Sequence, residues 1–475
     1  MQWRKRYYSA KFYFMKNKMK ILVALFLYAS IVPGAAAQNP IIQTKFTADP
    51  APMVYNDTVY LYTGHDEDNA FGFEMHDWLL YTSTDMVNWT DHGAVASLKD
   101  FKWVPYDNGA WAAQCVYRNG KFYLYCPVPG GLGIGVLVSD RPDGPFKDPI
   151  GKPLIKNGPQ DIDPTVLIDD DGQAWLYWGN PELYYVKLND DMISYSGQII
   201  KDSSFEKTKN QPDLFHYQEG PWAYKRNGHY YMAYASTCCP EGIGYAMSNS
   251  ATGPWVYKGS IMDGDSRASG NHPGIIDYKG NSYIFGFNYN MLKQTMAKHY
   301  ERRSVSVDKI TYNKDGTIQK LPFWSEAGVK QISTLNPYNK VEAETIAFSE
   351  GVKTAKATEW ERNIPWDKGK MIAERLFVTS VNNGDYTKVQ GVNFSKGASS
   401  IEVSMAALHG GKIEIHTEKI DGPVLGTVDV TTSAEGDVWK TITTPVKKIS
   451  GVHDLFFVFR GEKELFNFDW WKFNK

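Results

Sequence analysis

TADPAPMVYNDTVYLYTGHDED, residues 47–68, reads as an apolar strand, a polar turn at Asn56-Asp57-Thr58 and an alternating aromatic strand, with an Asp-Pro pair at its head. Taken alone it is a β-hairpin, and Asp49 is a turn residue before proline. The pattern returns four times, as WAAQCVYRNGKFYLYCP from Trp111, DPTVLIDDDGQAWLYWGN from Asp163, EGPWAYKRNGHYYMAYAS from Glu219 and HPGIIDYKGNSYIFGFN from His272. Successive copies start 62, 52, 56 and 53 residues apart, and each is followed by a weaker echo such as STDMVNWTDHG or SNSATGPWVYKG. Two hairpins per repeat make four strands, and five such units at a period of about 55 residues are the pattern of a β-propeller. The expectation is an all-β chain whose residues 38–330 form a five-bladed β-propeller.

Propeller symmetry gives equivalent positions equivalent radii, so the residues that open the inner strands meet at one mouth of the channel. These are Asp49, Trp111, Asp163, Glu219 and His272. The ends of the second strands add His65, Asn180, Ser236 and Asn288 as hydrogen-bonding groups. Glycoside hydrolysis needs one carboxylic acid to protonate the leaving oxygen and a second carboxylate to activate water or attack directly. Glu219, with the longer reach, suits the acid, and Asp49, on a non-adjacent blade, suits the base, which favours the wider spacing of an inverting enzyme. Asp163 lies on the blade next to Glu219, where its charge disfavours ionisation of the acid. Trp111 either stacks on a sugar or fills core, and His272 packs, binds substrate or ligates a metal.

The aromatic content of 14%, with 15 Trp and 30 Tyr, suits a protein handling sugars, and a net charge of −2 argues against a nucleic-acid partner. At the N-terminus, basic residues to Lys20, an apolar run from Ile21 to Val32 and small residues ending near Ala37 read as a secretory signal over 1–37. About a dozen apolar residues are too few to span a bilayer. The mature chain is therefore expected to be secreted or periplasmic and free of the membrane. Cys115 and Cys126 flank a turn where a cross-strand disulfide is possible, and the Cys238-Cys239 pair is either free or a strained disulfide. Asn56, Asn88 and Asn393 begin glycosylation sequons.

Beyond LPFWSEAGVKQISTLNPYNK the repeat stops. KVQGVNF, SIEVSMAAL, GKIEIHTE and HDLFFVFRG then alternate as antiparallel strands, so residues 340–475 are expected to form a β-sandwich, a jelly-roll in type.

Through ADPAP, IDPTV, EGPW, GNHPG and RRSV, residues 40 to 325 resemble glycoside hydrolase family 43, the inverting arabinofuranosidases, xylosidases and arabinanases. The resemblance implies that Asp49 is the general base, Asp163 the modulator and orienter, and Glu219 the general acid. It also implies that His272 holds a hydrated calcium in the channel and that Arg302 or Arg303 reaches the sugar. Sucrose-processing propellers have an Asn-Asp-Pro nucleophile and a Glu-Cys acid, whereas here Ala48 precedes Asp49 and Gly220 follows Glu219. VEAE, NNGDYTKVQGVNF and LFNFDWWKF resemble a family 6 carbohydrate-binding module. That likeness implies a structural calcium at Glu342, Glu344 and Asp469, hard oxygen donors that suit the ion, and sugar contacts by Trp439 and Asn467. Ser380 stands where a second aromatic is expected, and Trp470 and Trp471 read as core. The expected activity is release of terminal α-L-arabinofuranosyl units from arabinoxylan or a related plant polysaccharide. A β-xylosidase or endo-arabinanase is the enzymatic alternative, and a non-catalytic carbohydrate-binding propeller the alternative from another class.

Overall fold

Four of the five hairpins close on two-residue turns whose central residues both have positive φ: Asn56-Asp57, Asn119-Gly120, Asn227-Gly228 and Lys279-Gly280. Such turns match the right-handed twist of the strands they join, which is why Asn, Asp and Gly punctuate the repeats. The computed structural model of the protein describes residues 39–69, 72–205, 216–237, 240–268, 271–291, 302–361, 370–432 and 438–475. The expected signal over 1–37 and the Cys238-Cys239 pair lie outside them. No helix among the described residues is long and apolar enough to cross a membrane.

The hairpins seed five separate antiparallel sheets. The first contains Phe46–Tyr55, Thr58–Asp66, Asp77–Ser83 and Trp89–Ser97, and the third Thr165–Ile168, Ala174–Trp178, Tyr184–Leu188 and Tyr195–Lys201. The fourth is formed by Tyr217–Arg226, His229–Ser236, Ile243–Ser248 and Val256–Met262. The second and fifth depart from the expected four strands. Among the described residues they hold three each, Gln114–Arg118, Lys121–Val128 and Gly133–Ser139, and Gly274–Tyr278, Asn281–Asn288 and Ser304–Ile310. In the second, isolated bridges from Ile134 to Ile155 and Val138 to Lys147 stand where the fourth strand was expected, because the segment is broken by Pro and Gly.

The opening strands of the five sheets touch in sequence, and the last touches the first, so they form a closed ring. The N-terminal segment fastens the ring: Ile41 and Thr47 donate their N–H groups to the carbonyls of Val305 and Arg303, at 2.9 Å each. Asn39 adds a reciprocal pair with Val307, at 3.0 and 2.9 Å.

The C-terminal region is a β-sandwich. One sheet runs in the order Lys353–Glu361, Lys370–Thr379, Phe466–Asn474, Ala398–Ala407, Trp439–Ile449, and the other Phe348–Glu350, Tyr386–Asn393, Val452–Arg460, Gly411–Thr417, Val424–Val430. Between them lies a core that includes Ile401, Val403, Phe457, Phe468 and Trp471. Trp471 is core as expected, whereas Trp470 is only half-buried.

Two sequence readings are corrected. Cys115 pairs with Leu124 and Cys126 with Gly135, so the thiols are not opposite one another, and both are free and buried in the first sheets' core. Asn88 is no glycosylation site: it is buried, and its amide donates to Asp85 Oδ2 at 2.7 Å and to the Gln390 carbonyl at 2.9 Å.

Candidate active site

The Asp-Pro pair that opens the first hairpin is a bulge. Ala48 pairs with Gly64 and Ala51 with Tyr62, so Asp49 and Pro50 together face one residue. Gly220-Pro221 repeats this between the Glu219–Ala235 and Trp222–Ala233 pairs, and Asp163-Pro164 lies between the Ile162–Gly179 hydrogen bond and the Thr165–Tyr177 pair. Asp49, Asp163 and Gly220 have φ of 51, 56 and 58°, a left-handed conformation that Asp and Gly adopt most readily. Glu219 therefore stands one residue ahead of the position of Asp49 and Asp163, which corrects their equation in the sequence. The slip places Gly220 against the site, where its N–H donates to Asp163 Oδ2 at 3.0 Å.

Three carboxylates surround one imidazole. His272 Nδ1 lies 3.6 Å from Asp49, and its Nε2 lies 3.5 Å from Glu219 and 3.9 Å from Asp163. The Asp49 and Asp163 side chains are 3% and 4% exposed and that of Glu219 20%, so Glu219 is the acid that reaches outward. Asn180 donates to its Oε2 and is itself held by Gln218 at 2.9 Å.

The charges are strongly coupled. Burial alone would lower the pKa of His272, but Asp49, Asp163 and Glu219 push it up to about 10. Burial, reinforced by Glu219 and Asp49, pushes Asp163 up to about 7 against the opposing pull of His272. Burial also raises Glu219, yet the hydrogen bond and charge of His272 and the bond from Asn180 outweigh it and hold Glu219 below its ordinary value. Of the two carboxyls Asp163 is thus the one held towards its protonated form, the reverse of the sequence expectation, because it is the more deeply buried and the imidazole sits nearer to Glu219.

The two arginines are built into the walls of the site. Arg303 is buried, donates to Asp49 Oδ1 at 2.9 Å and forks onto Asp66 at 3.0 and 2.8 Å. Arg302 has no exposed surface and donates to the carbonyls of Asp68 and Gly72, so it holds the loop that follows Thr58–Asp66. Asn288 is likewise fully buried, bonded to Ser306 Oγ at 2.9 Å and to the Asn290 N–H, with no surface left for a ligand. Trp111 packs on the first core, while Ala112, Ala113 and Gln114 take the channel-lining place expected for it. His65 is at the rim, 3.2 Å from Asp77 and 3.3 Å from Glu67. Asp66 was not singled out in the sequence, where it reads as part of the solvated run HDED. The signal that finds it is Arg303, a cation at the head of an apolar strand, which needs buried carboxylates.

A cavity of about 20 Å³, room for about one water, is lined by Asp49, Gln114, Asp163 and His272. His272 Nδ1 is buried there without a hydrogen-bond partner, and Asp163, Glu219 and His272 together meet the geometry of a cation site. Arg303 offsets the charge of Asp49, and either an imidazolium or a cation beside a neutral imidazole would offset what remains on Asp163 and Glu219.

In the sandwich, Trp439 and Asn467 flank Ala406 on adjacent strands, so the sheet brings them together. Arg375 lies 4.7 Å above Trp439, and Asn467 accepts from Thr379 at 2.8 Å. The expected calcium ligands are less gathered: Asp469 is engaged by Arg375 and Ser404, and Glu342 pairs with Lys340 at 3.0 Å. Glu344 is buried with Oε2 unpartnered, and burial, with Glu342, Asp91 and Asp469 nearby, pushes its pKa up to about 9. Its three neighbours are each paired with a cation, Glu342 with Lys340, Asp469 with Arg375 and Asp91 with Lys45, so among the described residues these carboxylates do not gather into a cation site as those about His272 do.

The sequence profile of Glycosyl hydrolases family 43 matches residues 37–318. The chain belongs to this family. Residues 342–475 match the carbohydrate binding module of family 6. The family 43 chain is 34% identical to an arabinoxylan arabinofuranohydrolase of Bacillus subtilis (strain 168), over 92% of each chain. A crystal structure of a family 43 arabinoxylan arabinofuranohydrolase from Bacillus subtilis, in complex with cellotetraose, superposes with a TM-score of 0.77 at 31% identity, covering 93% of this chain and 99% of the other. A β-xylosidase/α-arabinofuranosidase from a compost microbial metagenome, solved with xylotriose in a calcium-free form, gives a TM-score of 0.53 at 27% identity over 61% of this chain and 98% of its own. The chain is a glycosidase of propeller type carrying a β-sandwich module.

Proposed function

We propose that this family 43 enzyme releases terminal α-L-arabinofuranosyl residues from arabinoxylan with inversion, and that its five sheets are the blades of a five-bladed propeller. The observation that carries the reading is the cluster of Asp49, Asp163 and Glu219 about His272, on a chain that matches an arabinoxylan arabinofuranohydrolase over 92% of its length. Asp49, held by Arg303, takes a proton from a water that attacks the anomeric carbon. Glu219 gives its proton to the departing glycosidic oxygen as the C–O bond breaks. Asp163, bonded to the Gly220 N–H, positions the backbone beside Glu219 and exchanges a proton with it. After product leaves, Asp49 returns its proton to solvent and Glu219 regains one.

Calcium is the proposed cofactor at two places: beside His272, where it would compensate the buried carboxylates, and at Glu342, Glu344 and Asp469, where it would brace the sandwich. Trp439 and Asn467 would bind sugar. The chain would act outside the cytoplasm, after loss of residues 1–37, on plant cell-wall polysaccharide or its oligosaccharides.

Chromatography of sugars released from arabinoxylan and from xylo-oligosaccharides tests the reading. Free arabinose from the wild type, and none from Asp49→Ala, is expected. Xylose instead would favour the β-xylosidase reading, to which the metagenomic relative lends weight. Glu219→Gln should lose turnover by about 10²-fold or more while still retaining polysaccharide. A folded wild type that binds but never releases sugar would make the propeller a binding module.

A further inference from the structure

A second groove opens on the strand and loop that build the catalytic cluster. It encloses about 310 Å³, at the lower end of the range for ligand sites. Its apolar surfaces are Phe46, Met291 and Val352, all buried, and its polar walls are Asp68 and Asn69 on one side and Lys353 on the other. Two parts of the chain meet here: Asp68 and Asn69 belong to the loop after Thr58–Asp66, whereas Val352 and Lys353 lead into the sandwich strand Lys353–Glu361.

The groove shares no lining residue with the catalytic cavity and is tied to it by covalent and polar links. Phe46 lies three residues before Asp49 in one strand and pairs with Asp66 across the ladder. Asp66 grips Arg303, which grips Asp49. The Asp68 carbonyl is held by Arg302 at 3.2 Å, and its carboxylate meets Lys353 Nζ at 2.7 Å. The Lys353 ammonium also lies 5.6 Å from the Phe46 ring. Apolar surface flanked by a carboxylate, an amide and an ammonium is the composition that suits pyranose rings, whose C–H faces are apolar and whose edges carry hydroxyls.

We propose that this groove is a subsite for the main chain of the polysaccharide, so that the C-terminal module supplies part of the substrate cleft itself through Val352 and Lys353. The inference rests on the proposed activity: a branch residue held among Asp49, Asp163 and Glu219 is attached to a chain of pyranose rings that must continue past the cluster. The loop carrying Asp66 and Asp68 is the element common to both places. Lys353 and Asn69 would donate hydrogen bonds to ring hydroxyls, over a floor formed by the edges of Phe46, Met291 and Val352.

Asn69→Trp, at an exposed position, fills the groove, and Lys353→Ala removes its sandwich wall. For each, kcat/KM is measured on arabinoxylan oligosaccharide and on an aryl α-L-arabinofuranoside, which has no main chain. The ratio of the two is expected to fall roughly tenfold, with the loss carried by KM for the oligosaccharide. A ratio unchanged from the wild type, whether both substrates suffer equally or neither does, overturns the proposal. Binding of a linear xylo-oligosaccharide to a Glu219→Gln, Trp439→Ala enzyme, which lacks the stacking ring of the sandwich's own sugar site, separates this from the activity itself. Retention that is lost on adding Asn69→Trp upholds the groove even if no arabinose is ever released, and retention unaffected by it overturns the groove even if arabinose is.

Discussion

Arg303 joins the base to the loop above it: one guanidinium binds Asp49 and Asp66, while its backbone N–H donates to Asp66 at 2.8 Å. A buried cation between two carboxylates is costly to break, about 3–5 kcal/mol when one partner is removed, so Asp49 is held in one orientation. Across the site, the Asp163 carboxyl, pushed up to about 7 chiefly by burial, keeps a proton close to Glu219. The acid limb of catalysis needs that proton on Glu219, so kcat/KM is expected to decline above a pH of about 7 as the pair loses it. Replacing Asp163 by Asn removes a negative neighbour, which makes ionisation of Glu219 easier and lowers its pKa. The alkaline limb of the pH profile for Asp163→Asn should therefore move to lower pH, alongside a fall in kcat. A limb that stays in place or moves to higher pH would show that Asp163 does not act on the proton of Glu219.

The bulge is the element that turns three hairpins into a site. At each of its copies the residue before proline adopts left-handed φ, and the chemistry differs by a single position: Asp49 and Asp163 occupy the bulge, whereas Gly220 occupies it and pushes Glu219 one residue back. A Cβ on Gly220 would come within 2.8 Å of the His272 ring, so both the φ of 58° and the space forbid a side chain. Gly220→Ala is expected to lose about 1–3 kcal/mol of stability and to disturb Glu219 more than Asp49, read as a lower denaturation midpoint together with a lower kcat; unchanged values would mean the bulge relaxes freely. The hairpins, their turns and the closed order of five sheets were legible because each repeats a local pattern that strand alternation and Asn-Gly turns enforce. The one-residue slip at Glu219 was not, since the pairing register across a bulge depends on the opposite strand. Nor was the burial of Arg302 and Asn288, whose partners Asp68, Gly72 and Ser306 are set by how the ring closes.

The sandwich is joined to the first sheet by backbone as well as side chains. Thr345–Ile346 pairs with Trp89 and Thr90, adding a fifth strand to that sheet, and Asn88 and Gln390 exchange amide bonds at 2.9 and 2.8 Å. Lys45, Asp91 and Thr354 form a further polar knot at 2.6–2.9 Å across the same junction. Glu344 precedes the pairing strand directly, so its charge state bears on how the two parts hold together. With a folded pKa of about 9, above the ordinary value of 4.5, Glu344 keeps its proton while the unfolded chain loses one. Stability in chelator should therefore fall as pH rises from about 4.5 towards 9, by an amount on the order of a few kcal/mol. Calcium binds the ionised carboxylate and displaces that proton, which reverses the trend. Melting in chelator and in calcium, at pH about 5 and about 8, is the measurement: calcium should raise Tm more at the higher pH, roughly 5 °C or more, and Glu344→Gln should abolish the difference. An equal calcium effect at both pH values, or one that survives in Glu344→Gln, would detach the ion from this carboxylate. The junction would then be held by strand pairing and the neutral acid alone.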